Sequence, residues 1–231
     1  METKEFWQQL EARISKYDLL CHPFYQAWSQ GQLTRDDLRS YAAEYFHHVA
    51  EFPEYLSAFH ARLAPGSLAH AVLENQHDEE GIGSPDGRSH AELWMDFAEG
   101  MGGSRTPGSE PLTEVGELMQ TFHKIAREGS PAQALAAFYA YESQVPRVAK
   151  EKARGLREMY AADARTCGYF TLHMTADVHH AEVWREQLEN HFQGSGSESQ
   201  EKALDAAELA ARSLWSALDG IERQRLERAA A

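Results

Sequence analysis

Three side chains in the segment YFTLHMTADVHHAEVW are spaced for metal chemistry: His173, Asp177 and His180 stand at i, i+4 and i+7. On one helix that spacing falls within a narrow stripe, so two imidazoles and a carboxylate project toward the same point. Two histidines and one carboxylate form the ligand set of oxygen-activating iron, which leaves coordination positions open for O2 and substrate. The plain alternative is coincidence, since a chain with 12 histidines will sometimes place two on one helix face.

Two further segments add ligands. AAFYAYESQVPR sets Glu142 in an apolar stretch between Phe138, Tyr139, Tyr141 and Val145. An ionised carboxylate is costly there unless something pairs with it, and a metal ion is the strongest available partner. A salt bridge to nearby Arg147 is the alternative. ENQHDEEGIGSPDGRSHAELW then offers Glu79 or Glu80 at the end of one helix and His90 at the start of the next. Three carboxylates and three imidazoles from several helices is how carboxylate-bridged dimetal sites are assembled in bundles. Three negative charges against two divalent cations leave about one net positive charge, tolerable once water or oxygen-derived ligands join. The other histidines read as ordinary surface or core residues. His47 and His48 are adjacent and diverge, His60 and His70 lie near helix ends, and His22, His123 and His191 have no carboxylate at ligand spacing. His77 and His179 adjoin proposed ligands, but helix neighbours do not share a face. No Gly-rich phosphate loop, G-x-S-x-G elbow or Cys-His nucleophile pair is present, so nucleotide-dependent and hydrolytic chemistry lack support.

Helices must position these groups. In TRDDLRSYAAEYFHHVAEFPEYLSAFHARL, Leu38, Tyr41, Ala42, Tyr45, Phe46 and Val49 recur at spacings of three and four. Thr34 can cap this helix, Asp36 and Asp37 occupy its first turn, and Leu33 can staple onto Leu38. Pro53 should kink it rather than end it, because the period resumes at Tyr55, Leu56 and Phe59. Further helices are expected at about 4–17, 22–30, 67–80, 89–101, 112–128, 131–160, 163–192 and 199–228. No strand pattern stands out. Breaks fall at 81–89, 102–111, 129–130 and 194–199, each rich in Gly, Ser or Pro. The 30 or so residues after the last break are amphipathic and too few for a core of their own, so they read as the closing helix of one domain spanning 1–231.

Composition agrees. The chain has 231 residues, 42% of them apolar, with ten Phe, nine Tyr and five Trp to fill a core. Lys and Arg number 22 against 36 Asp and Glu, a formal charge of −14, which argues against nucleic acid or anionic lipid as partners. Cys21 and Cys167 lie in neither a C-x-x-C pair nor a zinc spacing and read as free thiols in a reducing compartment. The N-terminus is charged and amphipathic, and no span approaches a bilayer's length, so a cytoplasmic chain is expected.

Five blocks spread along nearly the whole chain, HPFYQAWSQGQLT, YAAEYFHH, FPEYLSAFHAR, YESQVPRVAKEKARGL and YFTLHMTADVHHA, carry a family resemblance. The chain resembles the CADD-like family, the chlamydial protein associating with death domains and its bacterial relatives. That is a branch of the haem-oxygenase-like dimetal oxidases, related to the PQQ-synthesis protein and to TenA. The resemblance implies an all-α bundle of seven helices and a di-iron or iron–manganese centre fed by O2 and an external reductant. Its implied ligands are Glu79, His90, Glu142, His173, Asp177 and His180. It further implies chorismate-independent synthesis of para-aminobenzoate, a folate precursor, at the expense of the protein's own residues. Tyr25 would be the sacrificed ring, Lys152 the amino donor and Tyr141 a redox-active neighbour of the metals. Read without the family, Tyr25 and Tyr141 are core aromatics and Lys152 a solvated lysine beside Glu151. The connection from Glu79 to His90 is about four residues longer than in the chlamydial relative, a mild change thermodynamically, and it leaves Glu79 against Glu80 open. Two alternatives remain: a dimetal oxidase acting on a diffusible amine or fatty acid, and a metal-free interaction protein. A cofactorless oxidase or a thiaminase would not need all six ligands. A homodimer is compatible with the sequence, whereas nothing marks a surface for death domains.

Overall fold

Helical periodicity over most of the chain becomes helix, and no strand forms among the described residues, which are 1–84, 86–105, 110–193 and 196–230 of a computed structural model. In chain order the helices are α1 (Thr3–Ser15), a 3-10 turn (Leu19–Cys21), α2 (Pro23–Ser29), α3 (Arg35–His60), α4 (Ser67–Glu79), α5 (His90–Gly100) and α6 (Thr113–Glu128). They continue with α7 (Pro131–Glu142), α8 (Val145–Met159), α9 (Gly168–His173), α10 (Ala176–Phe192) and α11 (Ser197–Ala229). Parts of three expected breaks, at positions 85, 106–109 and 194–195, lie outside the described residues.

The centre of the bundle is α7, whose residues Ala134 to Glu142 are all buried. Its alanines, with those of α11, let the two backbones approach closely, and α6 and α10 pack against α7 as well. The closing helix therefore belongs to the same core: α11 also packs on α1 and α2. Aromatic rings fill the opposite side, where Phe52, Phe122, Phe138 and Tyr141 meet between α3, α6 and α7. Burying a side chain of that size stabilises by roughly 1.5–3 kcal/mol.

Local chemistry sets the helix starts that matter for the site. Thr34 and Asp37 close a capping box at α3 as expected, and Ser89 with Glu92 closes another immediately before His90, the first residue of α5. Ser130 and Gln133 do the same for α7. Such caps contribute about 0.5–2 kcal/mol each. His22 caps α2, the helix of Tyr25: its Nδ1 accepts from Phe24 N–H at 3.1 Å, and its Nε2 meets Asp219 of α11 at 3.1 Å. Pro53 lies inside α3 without ending it.

Two expected helices are each divided. The 131–160 helix is α7 and α8, broken at Ser143 and Gln144. The cause is Pro146, which has no N–H for the carbonyl of Glu142 and crowds it. Gln144 fills the break, donating to Ala140 O at 3.1 Å and accepting from Leu19 N–H at 3.1 Å. The 163–192 helix begins only at Gly168, because Asp163 caps a turn by accepting from Thr166 N–H at 2.8 Å, and it breaks again at Met174 and Thr175. There the Thr175 hydroxyl donates to Leu172 O at 3.1 Å, competing with the helical ladder. The bundle thus has more helical segments than the seven implied.

Tight packing joins the fold to the Lys152 region. A Cβ on Gly155 of α8 would lie 2.8 Å from Trp28 Cδ1, and Trp28 Nε1 donates to Lys152 O at 3.3 Å. Gly155→Val should therefore cost about 1–3 kcal/mol by overpacking, lowering the melting temperature by roughly 2–10 °C. Thermal denaturation followed by circular dichroism checks this, and an unchanged melting point would show that α8 has room to shift.

Candidate metal centre

The chain ends α4 at Glu79, starts α5 at His90, ends α7 at Glu142 and ends α9 at His173, so four helix termini deliver side chains to one interior point. Asp177 and His180 come from the first turns of α10. All six are buried. Glu79, His90 and His173 offer ligand atoms that lie within 4.8 Å of one another, and so do Glu79, Glu142 and His180. Glu79 is common to both groups, the place a bridging carboxylate takes between two cations. Glu80 is exposed and accepts from Gln76 Nε2 at 2.9 Å, so the structure favours Glu79 of the two carboxylates left open. Asp177 belongs to neither triad, but its Oδ1 lies 3.4 Å from His180 Nδ1, and it lines a small void of about 10 Å³ together with Glu79, Glu142 and His173.

The stripe expected from His173, Asp177 and His180 does not exist as one helix face, because the α9–α10 break falls between the first and second. The three side chains converge through the turn instead. Nor does Glu142 pair with Arg147, which binds Asp18 at 2.9 Å.

Supporting residues fix the ring orientations. His173 Nδ1–H donates to Tyr169 O at 2.7 Å, leaving Nε2 free for a cation, and the Tyr169 ring stacks on the imidazole at 3.9 Å. His180 Nε2–H donates to Asp78 Oδ2 at 3.2 Å, turning Nδ1 toward Glu142 and Asp177. Glu142 accepts from Asn75 Nδ2 at 3.3 Å and from Trp184 Nε1. Asn75, Asp78, Tyr169 and Trp184 went unnoticed in the sequence. Helical spacing marks three of them, since Asn75 precedes Glu79 by four residues, Tyr169 precedes His173 by four and Trp184 follows His180 by four. A cluster centred on Asp96 locks the entry to α5. That enclosed carboxylate meets Arg88 at 2.7 Å, Arg105 at 2.5 Å and Arg165 at 2.8 Å. Burial alone would raise its pKa, but the three guanidinium groups hold it down at about 2.

The donor set fits cations. His90 Nδ1, Asp177 Oδ1 and His180 Nδ1 are buried and make no well-directed hydrogen bond among the described residues, their close contacts being within the cluster, His90 Nδ1 to Glu79 Oε2 at 2.7 Å and His180 Nδ1 to Asp177 Oδ1 at 3.4 Å. Burial, with Asp177 and Glu79 nearby, pushes Glu142 up to about 8. Burial opposes the charged form of His180, yet Asp177, Asp78 and Glu142 outweigh it and push the imidazole up to about 11. Glu79 is held below its ordinary value, since His90 outweighs burial there.

The second site named by the sequence lies beside this centre. Lys152 is only 5% exposed, its Nζ donates to Tyr25 OH at 2.7 Å and to Tyr41 OH, and the two hydroxyls are 2.9 Å apart. Lys152 is therefore not solvated, while Tyr25 is a core aromatic whose hydroxyl also joins this triangle. Burial alone lowers the Lys152 pKa well below its ordinary value, and burial first, then neighbouring phenols, raises Tyr25 and Tyr41 well above theirs. A cavity of about 20 Å³ touches Tyr25 and Lys152, and its wall includes Tyr141 and Tyr169, which also line the void at the carboxylates and imidazoles. Tyr141 is thus the partition between two small chambers.

Cations must displace protons here. As metal ligands, Glu142, held near 8, and His180, held near 11, would each give up a proton, so apparent affinity should rise with pH between about 6 and 8. Calorimetric titration of the metal-free chain with Mn²⁺ or anaerobic Fe²⁺, in buffers of different ionisation enthalpy, reads the proton release. Uptake without release would count against these two residues as ligands.

Residues 39–215 match the family of iron-containing redox enzymes. A 4-aminobenzoate synthase of Chlamydia muridarum is 37% identical over 94% of this chain and 89% of its own length. One from Nitrosomonas europaea is 36% identical over 96% of this chain and 92% of its own. A Shewanella denitrificans domain of unknown function with a heme oxygenase-like fold superposes with a TM-score of 0.81 at 19% identity, covering 100% of this chain and 97% of that one. At that identity the likeness is one of fold. A matching family over most of the chain, long alignments above one third identity and a centre of buried carboxylates and imidazoles agree: the chain belongs to the iron-containing redox enzymes of haem-oxygenase-like fold, as a relative of the 4-aminobenzoate synthases.

Proposed function

We propose that this chain makes 4-aminobenzoate in an oxygen-dependent reaction, with Tyr25 as the source of the ring and Lys152 as the source of its nitrogen. One observation supports this above the rest: the Lys152 amine is sealed against the Tyr25 hydroxyl and lies 4.1 Å from the centroid of its ring. The similar proteins named 4-aminobenzoate synthase supply the product. The chamber supplies the argument for an internal substrate. At about 20 Å³ it has room for something the size of water or O2, far below the ~300 Å³ at which pockets for small organic ligands begin. A diffusible amine or fatty acid has no place beside Lys152.

Glu79, His90, Glu142, His173, Asp177 and His180 would hold two metal ions, both iron or one iron and one manganese. Bound there and fed by an external reductant, the pair supplies the redox power that activates O2. The rest falls to the protein. Tyrosine becomes 4-aminobenzoate only if the phenol C–O bond is exchanged for C–N and Cβ is oxidised to a carboxyl as it parts from Cα. Burial lowers the Lys152 pKa well below its ordinary value and so favours the neutral amine, whose lone pair the first change needs. Because burial keeps the Tyr25 and Tyr41 phenols protonated, removing an electron from either must also move its proton, and the Lys152 nitrogen lies nearest to accept it. Tyr41 holds that nitrogen, Trp28 holds the Lys152 backbone carbonyl, and Leu19, Val145, Val148 and Phe170 exclude water. Tyr141, between the chambers, is the redox-active neighbour of the centre.

Dioxygen and a reductant are the partners this chemistry requires. It calls for no death domain, nucleic acid or membrane, and no described helix is long and apolar enough to cross a bilayer. The free thiols of Cys21 and Cys167 suit the reducing cytoplasm, and a homodimer would not obstruct the buried chambers.

Protein loaded anaerobically with iron and manganese, reduced and then exposed to air should release 4-aminobenzoate with no added substrate, up to a single molecule per chain. Mass spectrometry should show the matching loss at residue 25. Tyr25→Phe and Lys152→Arg should each reduce release at least a hundredfold while still binding metal. Repeated turnover on an added substrate would refute self-sacrifice.

A further inference from the structure

An open cavity of about 800 Å³ lies against the outer side of the centre, between the stretch leading into α5, the end of α8, and α9. His90 lines it, and so does Asp78, the acceptor of the His180 Nε2–H. Two of the six inner groups are therefore reached from this space, one directly and one through a single hydrogen bond. The cavity shares no lining residue with the Tyr25–Lys152 chamber.

Its walls carry both shape and charge. Leu93 and Leu172 offer apolar faces, and Arg157 brings a guanidinium that donates to Thr171 Oγ1 at 2.9 Å and pairs with no carboxylate among the described residues. Arg88, also at the wall, is turned away toward Asp96 at 2.7 Å. Of the two acids present, Asp78 is engaged by His180, and Asp86 accepts from Arg88 N–H at 3.3 Å. Arg157 is thus the guanidinium of this wall that has no carboxylate partner among the described residues. A volume of this size suits a small organic molecule, and a guanidinium beside a hydroxyl suits a phosphate or carboxylate.

We propose that this cavity binds a small, planar, anionic electron donor that re-reduces the centre, its ring against Leu93 and Leu172 and its charge on Arg157. The assignment rests on the dimetal function proposed above. A two-electron donor seated here gives up two electrons and a proton. The electrons would pass by way of His90 to the metals that the six inner residues would hold, which they would reduce, and the proton leaves through the open mouth. Donor and ring source then occupy separate spaces, so reduction never admits solvent to Lys152.

Flavin mononucleotide is a suitable probe. Titrated in its oxidised form into the full chain, with and without metal, it should bind saturably and lose fluorescence. Arg157→Gln should weaken binding about tenfold or more and Arg157→Lys far less, because a charged hydrogen bond is lost only in the first. Riboflavin, lacking the phosphate, should bind the wild type about as weakly as flavin mononucleotide binds Arg157→Gln. Under argon, photoreduced flavin mononucleotide should re-reduce the air-oxidised centre at a rate that saturates and falls about tenfold in Arg157→Gln, whereas dithionite reduces both proteins alike. Absence of saturable binding, or indifference to Arg157, overturns the site; saturable binding without saturable re-reduction overturns the donor role. If dithionite finds nothing to reduce, the dimetal function fails instead, and flavin binding to the metal-free chain still decides the cavity.

Discussion

Three carboxylates and three imidazoles, all facing one another in the dry interior of a helical bundle, are the constraint around which the rest of this molecule is arranged. A buried charge without a partner costs several kcal/mol, against a net stability of about 5–15 kcal/mol for a domain. Without a cation the cluster settles by compromise. Glu142 is held up at about 8 and His180 at about 11, and His180 Nδ1 and Asp177 Oδ1 make no well-directed hydrogen bond. Cations resolve all of these at once, so the interior is built for an occupant. The supporting contacts have the same logic: Tyr169 and Asp78 each take one ring N–H, so the other nitrogen of His173 and of His180 has nowhere to turn but inward.

Interruptions in the helices make this arrangement possible. A continuous helix through Glu142 would carry α7 straight into α8 and leave no end at which the carboxylate could turn inward beside Gln144. The break forced by Pro146 ends α7 on Glu142 and redirects α8, which then presents Lys152 to Tyr25. The break at Thr175 similarly separates His173 from Asp177 and His180, so that two short elements approach the centre from different directions. One set of breaks thus creates both chambers, with Tyr141 and Tyr169 as their shared wall.

Much of this was legible in the sequence, for identifiable reasons. Amphipathic periodicity and capping residues located the long helices, since Thr34 and Leu38 obey local rules that tertiary packing had no reason to override. Glu142 stood out because a carboxylate among aromatic residues demands a partner. The missed breaks depend on competition. Periodicity alone continued 131–160 through Pro146, where a lost hydrogen bond and a steric clash outweigh a good apolar stripe. The stripe of His173, Asp177 and His180 pointed to the right residues through the wrong geometry, because a turn and a helix face can both gather three side chains. Glu79 could be separated from Glu80 only by burial, which depends on how α4 meets α10 and not on either residue's neighbours. Lys152 was beyond reach without the family resemblance, for its burial is set by Tyr25 and Tyr41, more than a hundred residues earlier.

If the reaction is the one proposed, dryness explains why the chain would draw its substrate from itself. Burial favours the uncharged form of Lys152 beside two phenols only while water stays out, and a pocket wide enough to admit free tyrosine would let in the solvent that favours the charged form. Supplying the ring and the nitrogen as side chains removes the need for an entrance. Electrons need no such opening, because an imidazole at the wall can pass them while keeping the interior closed. The same bundle can therefore be sealed around Lys152 and open against His90, and sealing one side while exposing the other requires only that the centre lie between them.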